Sequence, residues 1–202
     1  MFTGLVQHLG RVESRTSSDA GASLWVSLEG WDHRPDPGAS IAVAGCCLTV
    51  ADRRPDAARV EAVRFDVVPQ TLRSTTIGSL GEGDRVNLES SATPTTLLGG
   101  HLVQGHVDEV GTVLSIVTEG EWRVRIGMGA SLAPLLVPRG SIAVEGVSLT
   151  VAALDREWFE VALIPETLQR TTLGGLAVGD GVNLEGDCIA KMVVRVLETR
   201  PA

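Results

Sequence analysis

Gly38-Ala39-Ser40-Ile41-Ala42-Val43-Ala44-Gly45, followed by Cys46-Cys47-Leu48-Thr49-Val50, returns as Gly140-Ser141-Ile142-Ala143-Val144-Glu145-Gly146 followed by Val147-Ser148-Leu149-Thr150-Val151. Ser40 maps to Ser141, 101 residues on. A second block, Pro69-Gln70-Thr71-Leu72-Arg73-Ser74-Thr75-Thr76-Ile77-Gly78, returns as Pro165-Glu166-Thr167-Leu168-Gln169-Arg170-Thr171-Thr172-Leu173-Gly174 at a spacing of 96. The same spacing carries Gly83-Asp84-Arg85-Val86-Asn87-Leu88-Glu89 onto Gly179-Asp180-Gly181-Val182-Asn183-Leu184-Glu185. The start recurs as well, with Leu5-Val6-Gln7 before His8 matched to Leu102-Val103-Gln104 before Gly105-His106. A fixed period of this size decides the architecture before any local reading does: the chain is two homologous halves that meet near residues 91–99.

Within each half the segments are short, rich in Val, Leu, Ile and Thr, and separated by Gly, Asp and Pro clusters, which is the pattern of strands. About six strands per half suit a small closed antiparallel barrel, since closure removes exposed strand edges. Pro69-Gln70-Thr71-Leu72 and Pro165-Glu166-Thr167-Leu168 read as short helical turns with Pro at the first helical position, each capping its barrel. After the second repeat, Ile189, Met192, Val193, Val196 and Leu197 fall on one stripe of a helix, with Asp187 as its N-cap and Lys191, Arg195 and Glu198 on the other face. A lone terminal helix cannot bury such a stripe by itself, so pairing with copies from other subunits is expected. The expected fold is all-β: two tandem, similar, six-stranded antiparallel Greek-key barrels over residues 1–97 and 98–187, followed by a C-terminal α-helix over 188–202.

Charge and composition exclude several classes of function. With 25 acidic against 17 basic residues the formal charge is −8, and no stripe of Lys and Arg could neutralise phosphates, so neither nucleic acid nor an anionic membrane is an expected partner. No apolar run is long enough to span a bilayer, and Met1-Phe2-Thr3-Gly4 opens without a leader pattern, so a cytoplasmic location is expected. Cys46 and Cys47 are adjacent and Cys188 stands alone, which suggests reduced thiols rather than a disulfide framework or a zinc site. No phosphate-binding loop, dinucleotide fingerprint or metal-ligand spacing is present.

Nucleophilic and titratable residues gather at Cys46 and Cys47, His101 and His106, Ser148 and Thr150, and Asp187. Gly99-Gly100-His101-Leu102-Val103-Gln104-Gly105-His106 sets two imidazoles among three glycines, where backbone can approach a flat ligand and His can carry a proton near neutral pH. The same glycines also suit a mere bulge or a crowded barrel entrance. Cys47-Leu48-Thr49 and Ser148-Leu149-Thr150 occupy the same point of the repeat and put two polar side chains on one face of a strand. They can be a small buried hydrophobe and backbone-satisfying hydroxyls, or equivalent pockets holding two copies of one ligand. Asp187 can be a helix cap alone, and Arg139 a solvated loop residue.

Met1-Phe2-Thr3-Gly4-Leu5-Val6, Gly45-Cys46-Cys47-Leu48-Thr49-Val50, Gly99-Gly100-His101-Leu102-Val103-Gln104-Gly105-His106-Val107-Asp108 and Gly146-Val147-Ser148-Leu149-Thr150-Val151, in this order, resemble the riboflavin synthase family of two-barrel lumazine-binding proteins. The resemblance runs through both repeats and the terminal helix. It implies an enzyme without metal or other cofactor that dismutates two molecules of 6,7-dimethyl-8-ribityllumazine into riboflavin and 5-amino-6-(ribitylamino)uracil by four-carbon transfer. It further implies a homotrimer, two lumazines per active site formed between the N-terminal barrel of one subunit and the C-terminal barrel of its neighbour, and an association with lumazine synthase.

By the same resemblance the first-barrel pocket uses Gly4, Leu5, Val6, Cys47, Leu48, Thr49, Asp66, Val67, Val68, Pro69, Gln70 and Thr71, with Gly105, His106 and Val107 supplied by the other chain. The second-barrel pocket uses Arg139, Ser148, Leu149, Thr150, Ala162, Leu163, Ile164, Pro165, Glu166 and Thr167. Cys47, His106, Ser148, Thr150 and Asp187 are the expected catalytic residues. Four positions depart from the family pattern: Ala44 for Asn, Gln70 for Glu, Arg139 for Lys and Glu145 for Asp. These departures leave two alternatives standing, a lumazine- or flavin-binding paralogue without turnover and a paralogue that dimerises a different pteridine.

Overall fold

The structure is a computed structural model that describes residues 1–55 and 60–200. The first half forms β1 (His8–Ser18), β2 (Gly21–Ser27), β3 (Ser40–Val43), β4 (Cys46–Pro55), β5 (Val60–Val67) and β6 (Arg85–Ser90), with α1 (Pro69–Ser74) and a 3-10 turn (Thr76–Ser79) before the last strand. The second half repeats this as β7 (Glu109–Val117), β8 (Trp122–Gly127), β9 (Ser141–Val144), β10 (Val147–Leu154), β11 (Trp158–Leu163), α2 (Pro165–Arg170), a 3-10 turn (Thr172–Gly175) and β12 (Gly181–Gly186), followed by α3 (Cys188–Glu198). Both sheets close, in the orders β1-β2-β5-β4-β3-β6 and β7-β8-β11-β10-β9-β12. All pairings are antiparallel. The duplicated barrels and their six strands each are as the sequence leads one to expect.

Alternation fills the barrels. Val12, Leu24, Val26, Ile41, Val43, Val63, Phe65 and Leu88 turn inward in the first, and Val113, Val124, Ile126, Ile142, Val144, Phe159, Val161 and Leu184 in the second. The short helices begin at Pro69 and Pro165, and the turns behind them drive Ile77 and Leu173 into the barrel ends as buried plugs. Thr75 and Thr171 cap these turns, each accepting the amide of the plug residue.

The barrels meet through reciprocal contacts, the pattern of a twofold-related pair. Asn87 Nδ2 donates to the Glu145 carbonyl at 2.9 Å and Asn183 Nδ2 to the Ala44 carbonyl at 2.8 Å. Thr172 N donates to Asn87 Oδ1 and Thr76 N to Asn183 Oδ1. Gly45 and Gly146 pass so closely that a Cβ on Gly45 would lie 2.6 Å from Gly146 N, and both have positive φ, so only glycine serves here. The N-terminal segment then crosses to the second barrel while residues 101–107 cross to the first, and they pair on the way as Phe2 with Val103.

The terminal helix is capped by Asp187, whose Oδ1 accepts Ile189 N at 2.8 Å. Its stripe stays uncovered within the chain: Ile189, Met192, Val193, Val196 and Leu197 are 53–65% exposed. No helix of the described residues is long and apolar enough to cross a membrane.

Candidate functional site

Two half-sites of one design lie where the crossing segments meet the other barrel's fourth strand. In the second barrel, Ser148 N donates to the Gly4 carbonyl at 2.8 Å, and Gly4 packs so tightly that a Cβ would fall 2.5 Å from Ser148 Cβ. In the first, Cys47 N donates to the Gly105 carbonyl at 2.8 Å, and a Gly105 Cβ would fall 2.6 Å from Cys47 Cβ. Both glycines have positive φ, +74° and +78°. Side chains at these positions would need both a strained backbone and a displaced wall.

These contacts correct the sequence reading in three ways. Gly4, Leu5 and Val6 line a cavity with Ser148 on the second barrel rather than lying beside Cys47 on the first. Gly105, lying against Cys47, belongs to the same chain rather than a neighbouring one, and Val107 packs on the first-barrel core. Finally, the start of the repeat matches Gly4 to Gly105 and Leu5 to His106, not Leu5 to Leu102, because equivalent carboxylates bind these segments. Glu89 accepts Thr3 N (2.7 Å), Thr3 Oγ1 (2.7 Å) and Gly4 N (2.9 Å). Glu185 accepts Gln104 N (2.7 Å), Gly105 N (2.9 Å) and His106 N (3.0 Å). Burial raises both carboxyls above the usual range, and these hydrogen bonds pull them partly back. Neither glutamate stood out as a site residue in the sequence.

The expected residues divide by the alternation of their strands. Cys47 and Thr49 face outward on β4, as do Ser148 and Thr150 on β10, while Leu48 joins the first core and Leu149 packs on the second. Cys46 points inward, where burial pushes its thiol up to about 12, so it cannot serve as a nucleophile. Ser148, Glu166 and Thr167 share a cavity of about 240 Å³ with Gly4, Leu5 and Val6. Ala162, Leu163, Ile164 and Pro165 line a neighbouring one of about 520 Å³ against Trp122. In the first barrel Asp66, Val67 and Val68 line a cavity of about 380 Å³, but Cys47, Pro69, Gln70 and Thr71 do not border it. Val68 and Ile164, at equivalent places, are exposed apolar side chains on the rims. Arg139 is exposed at φ 65°, and its amide donates to the Val151 carbonyl beside Thr150. A larger cavity, about 700 Å³, lies elsewhere, between the two 3-10 turns, and includes none of the expected catalytic residues.

The polar heads of the half-sites differ. His106 is exposed beside Cys47's partner Gly105, whereas His101 is buried and its Nδ1 lies 2.7 Å from Ser148 Oγ. His101 was visible in the glycine-rich segment but outside the expected catalytic set; the structure gives it the direct contact. Burial lowers its pKa from the ordinary imidazole value, opposed by the charge of Asp187. A neutral imidazole bonded to a hydroxyl can accept a proton at neutral pH, and Asp187 steadies the imidazolium that results. No cluster among the described residues could hold a metal ion.

The lumazine binding domain family matches residues 3–91 and 104–187, one copy per barrel. The chain is 45% identical to riboflavin synthase of Mycobacterium tuberculosis over 98% of its own length and 99% of the relative's, and 35% identical to that of Bacillus subtilis over 98% and 90%. Among solved structures, LumP complexed with riboflavin aligns with a TM-score of 0.80 at 28% identity, covering 92% of this chain and 99% of that one. LumP complexed with 6,7-dimethyl-8-(1'-D-ribityl) lumazine aligns at 0.77 and 26%, with the same coverage. Two closed barrels, the two half-sites built by exchanged segments, and these matches lead to one conclusion: the chain belongs to the lumazine-binding family that includes the riboflavin synthases.

Proposed function

We propose that the protein is a riboflavin synthase, converting two molecules of 6,7-dimethyl-8-ribityllumazine into one riboflavin and one 5-amino-6-(ribitylamino)uracil. The observation that carries this reading is the pair of half-sites with one backbone frame and unlike polar heads, Cys47 with the His106 segment and Ser148 with His101. A dismutation needs two like ligands in unlike roles. The 7-methyl protons of a lumazine are acidic, and their removal makes a nucleophilic exomethylene carbanion. Its partner is activated at C7 by addition of a nucleophile, and the four-carbon unit then passes between the rings.

In this proposal the His101 imidazole, kept neutral by burial, takes up the proton, with Asp187 stabilising its charged form. Ser148 and Thr150 orient the ligand of the second barrel. Cys47 and His106 face the reacting carbons in the first. The remaining rate comes from holding two bound rings in a reactive geometry, an effect that asks little of side chains.

The exposed stripe of α3 supports assembly into a homotrimer, in which the first barrel of one subunit faces the second barrel of the next. We assign residues 1–97 and 98–187 to the two lumazine-binding units and 188–202 to the oligomerisation element, noting that residues 201 and 202 lie outside those described. A cytoplasmic enzyme associated with lumazine synthase fits the same reading. Incubating purified protein with the lumazine alone and following riboflavin by absorbance and chromatography tests it. One riboflavin per two lumazines consumed establishes the dismutation. Lumazine bound but unconsumed overturns it in favour of a binding protein.

A further inference from the structure

Lys191, the only lysine of the chain, lies on the face of α3 opposite the exposed apolar stripe. Its Nζ is 2.8 Å from Asp108 Oδ2, and the pair is about three-quarters buried, with side-chain exposures of 23% and 27%. Asp108 Oδ2 also accepts Gly186 N at 2.8 Å, and Asp108 N donates to the Leu184 carbonyl. The lysine charge acts on Glu185 too, lowering its pKa against the effect of burial. Lys191 therefore pairs with Asp108 while its charge acts on Glu185; Glu185 grips Gln104, Gly105 and His106, and Asp108 fastens the end of the same segment to Gly186, the segment that carries Gly105 to Cys47.

The first barrel shows what the arrangement does without a lysine. There Glu89 grips Thr3 and Gly4, but the counterpart of Asp108 is neutral Gln7, whose Oε1 accepts Ser90 N (3.1 Å) and Ser90 Oγ (2.8 Å). A neutral amide thus suffices to fasten a crossing segment. Asp108 and Lys191 add a charged tie between that segment and the helix whose other face is uncovered.

We infer that Lys191 is a positioning residue that couples α3, through Asp108 and Glu185, to the Gly105–His106 wall of the Cys47 pocket, so that seating the helix sets one ligand site. The inference rests on the proposed lumazine-binding function. It makes the two pockets of one chain respond differently: the Cys47 pocket depends on Lys191, and the Ser148 pocket does not.

The test compares wild type, Lys191→Met, Lys191→Arg and the double variant Lys191→Met with Asp108→Gln, which imitates the Gln7 arrangement. Titration with 6,7-dimethyl-8-ribityllumazine reads the two sites of the full-length protein, and hydrogen exchange reads the amides of Gln104, Gly105 and His106. Leaving partly buried carboxylates without their cation weakens the Cys47 pocket about tenfold in Lys191→Met and speeds exchange of those amides. The Ser148 pocket stays as in wild type, Lys191→Arg keeps most of the affinity, and the double variant recovers it. Equal weakening of both pockets, no change in exchange, or no recovery in the double variant overturns the inference. Should Lys191→Met fail to fold, Asp108→Asn breaks the same ion pair from the other side and decides by the same readings, wild-type affinity and exchange in it overturning the inference. A wild type that binds no lumazine sinks the functional reading instead, and the amide exchange still judges the role of Lys191.

Discussion

His101 Nδ1 stands 2.7 Å from Ser148 Oγ, and this bond spans the junction of crossing segment and barrel: the histidine leads into the segment that leaves for the first barrel, while the serine lies on the outer face of β10. His101→Ala is expected to lower kcat about 100-fold, the usual worth of a positioned base, when assayed well below its unfolding midpoint. Burial lowers the imidazole pKa, so the acid limb of the rate profile lies below the ordinary value of 6.5. Asp187 raises that pKa, so Asp187→Asn moves the limb to still lower pH. An acid limb that stays put in both variants would mean that another group is the base.

The duplication made the fold legible. Six apolar runs per half, prolines opening equivalent helices and a stripe after the second repeat sufficed, because closed barrels follow from strand count and alternation alone. The exchange of segments between barrels was not legible, since it depends on how the barrels sit together. One signal was available: Gly4 precedes Gly105 by the same 101 residues that separate Ser40 from Ser141. Similar letters at Leu5-Val6-Gln7 and Leu102-Val103-Gln104 pointed to a register four residues off, and with it were lost the roles of Glu89 and Glu185, which bind mainly backbone amides of their partners. His101 was singled out early, but its contact with Ser148 required knowing which strand the segment passes.

Glu145 makes stability fall with rising pH. It is buried in the interface between barrels, where Oε1 accepts Asn183 N at 2.6 Å and Thr76 Oγ1 at 3.2 Å, and burial pushes its carboxyl from 4.5 to about 7. A raised folded-state pKa means that the native form holds its proton longer than the unfolded chain. The stabilisation is complete below about pH 4.5, declines as pH rises and is gone above about 7, by something on the order of 1–3 kcal/mol. Glu145→Gln keeps the acceptor and removes the charge. The difference in denaturation midpoint between variant and wild type should grow in favour of the variant from pH 5 to pH 8. A constant difference would show that Glu145 is not titrating.

Ala44 and Glu145 are equivalent positions with φ of 47° and 49°, and Arg139 at 65° is the other non-glycine residue in the left-handed region among those described. Three of the four departures from the family pattern therefore sit where backbone strain is greatest. At position 145 the side chain meets Thr76 Oγ1, but Ala44 offers nothing, and Thr172 Oγ1 is buried without a protein partner. Ala44→Asn supplies both a residue that tolerates this conformation and a partner for the orphaned hydroxyl, and should stabilise by about 1 kcal/mol in chemical denaturation. Thr172→Val removes the need for a partner. On that background Ala44→Asn should gain less, and an undiminished gain would assign the whole effect to the backbone.

The apolar stripe of α3 is the remaining feature that the single chain leaves unresolved. Ile189, Met192, Val193, Val196 and Leu197 together present more than half of their surface to solvent on one face, while the helix is held at its start by Asp187 and Lys191. Exposure of that much contiguous apolar surface favours association with further copies. Val193→Glu sets a charge in the middle of the stripe, where burial against another helix would cost several kcal/mol. In sedimentation the wild type should run as three chains and the variant as one. If the active site joins barrels of neighbouring subunits, the variant should also lose riboflavin formation while each half-site still binds lumazine. Full activity in a dissociated variant would place the whole reaction within one chain, and a wild type that sediments as a single chain would leave the stripe to some other cover.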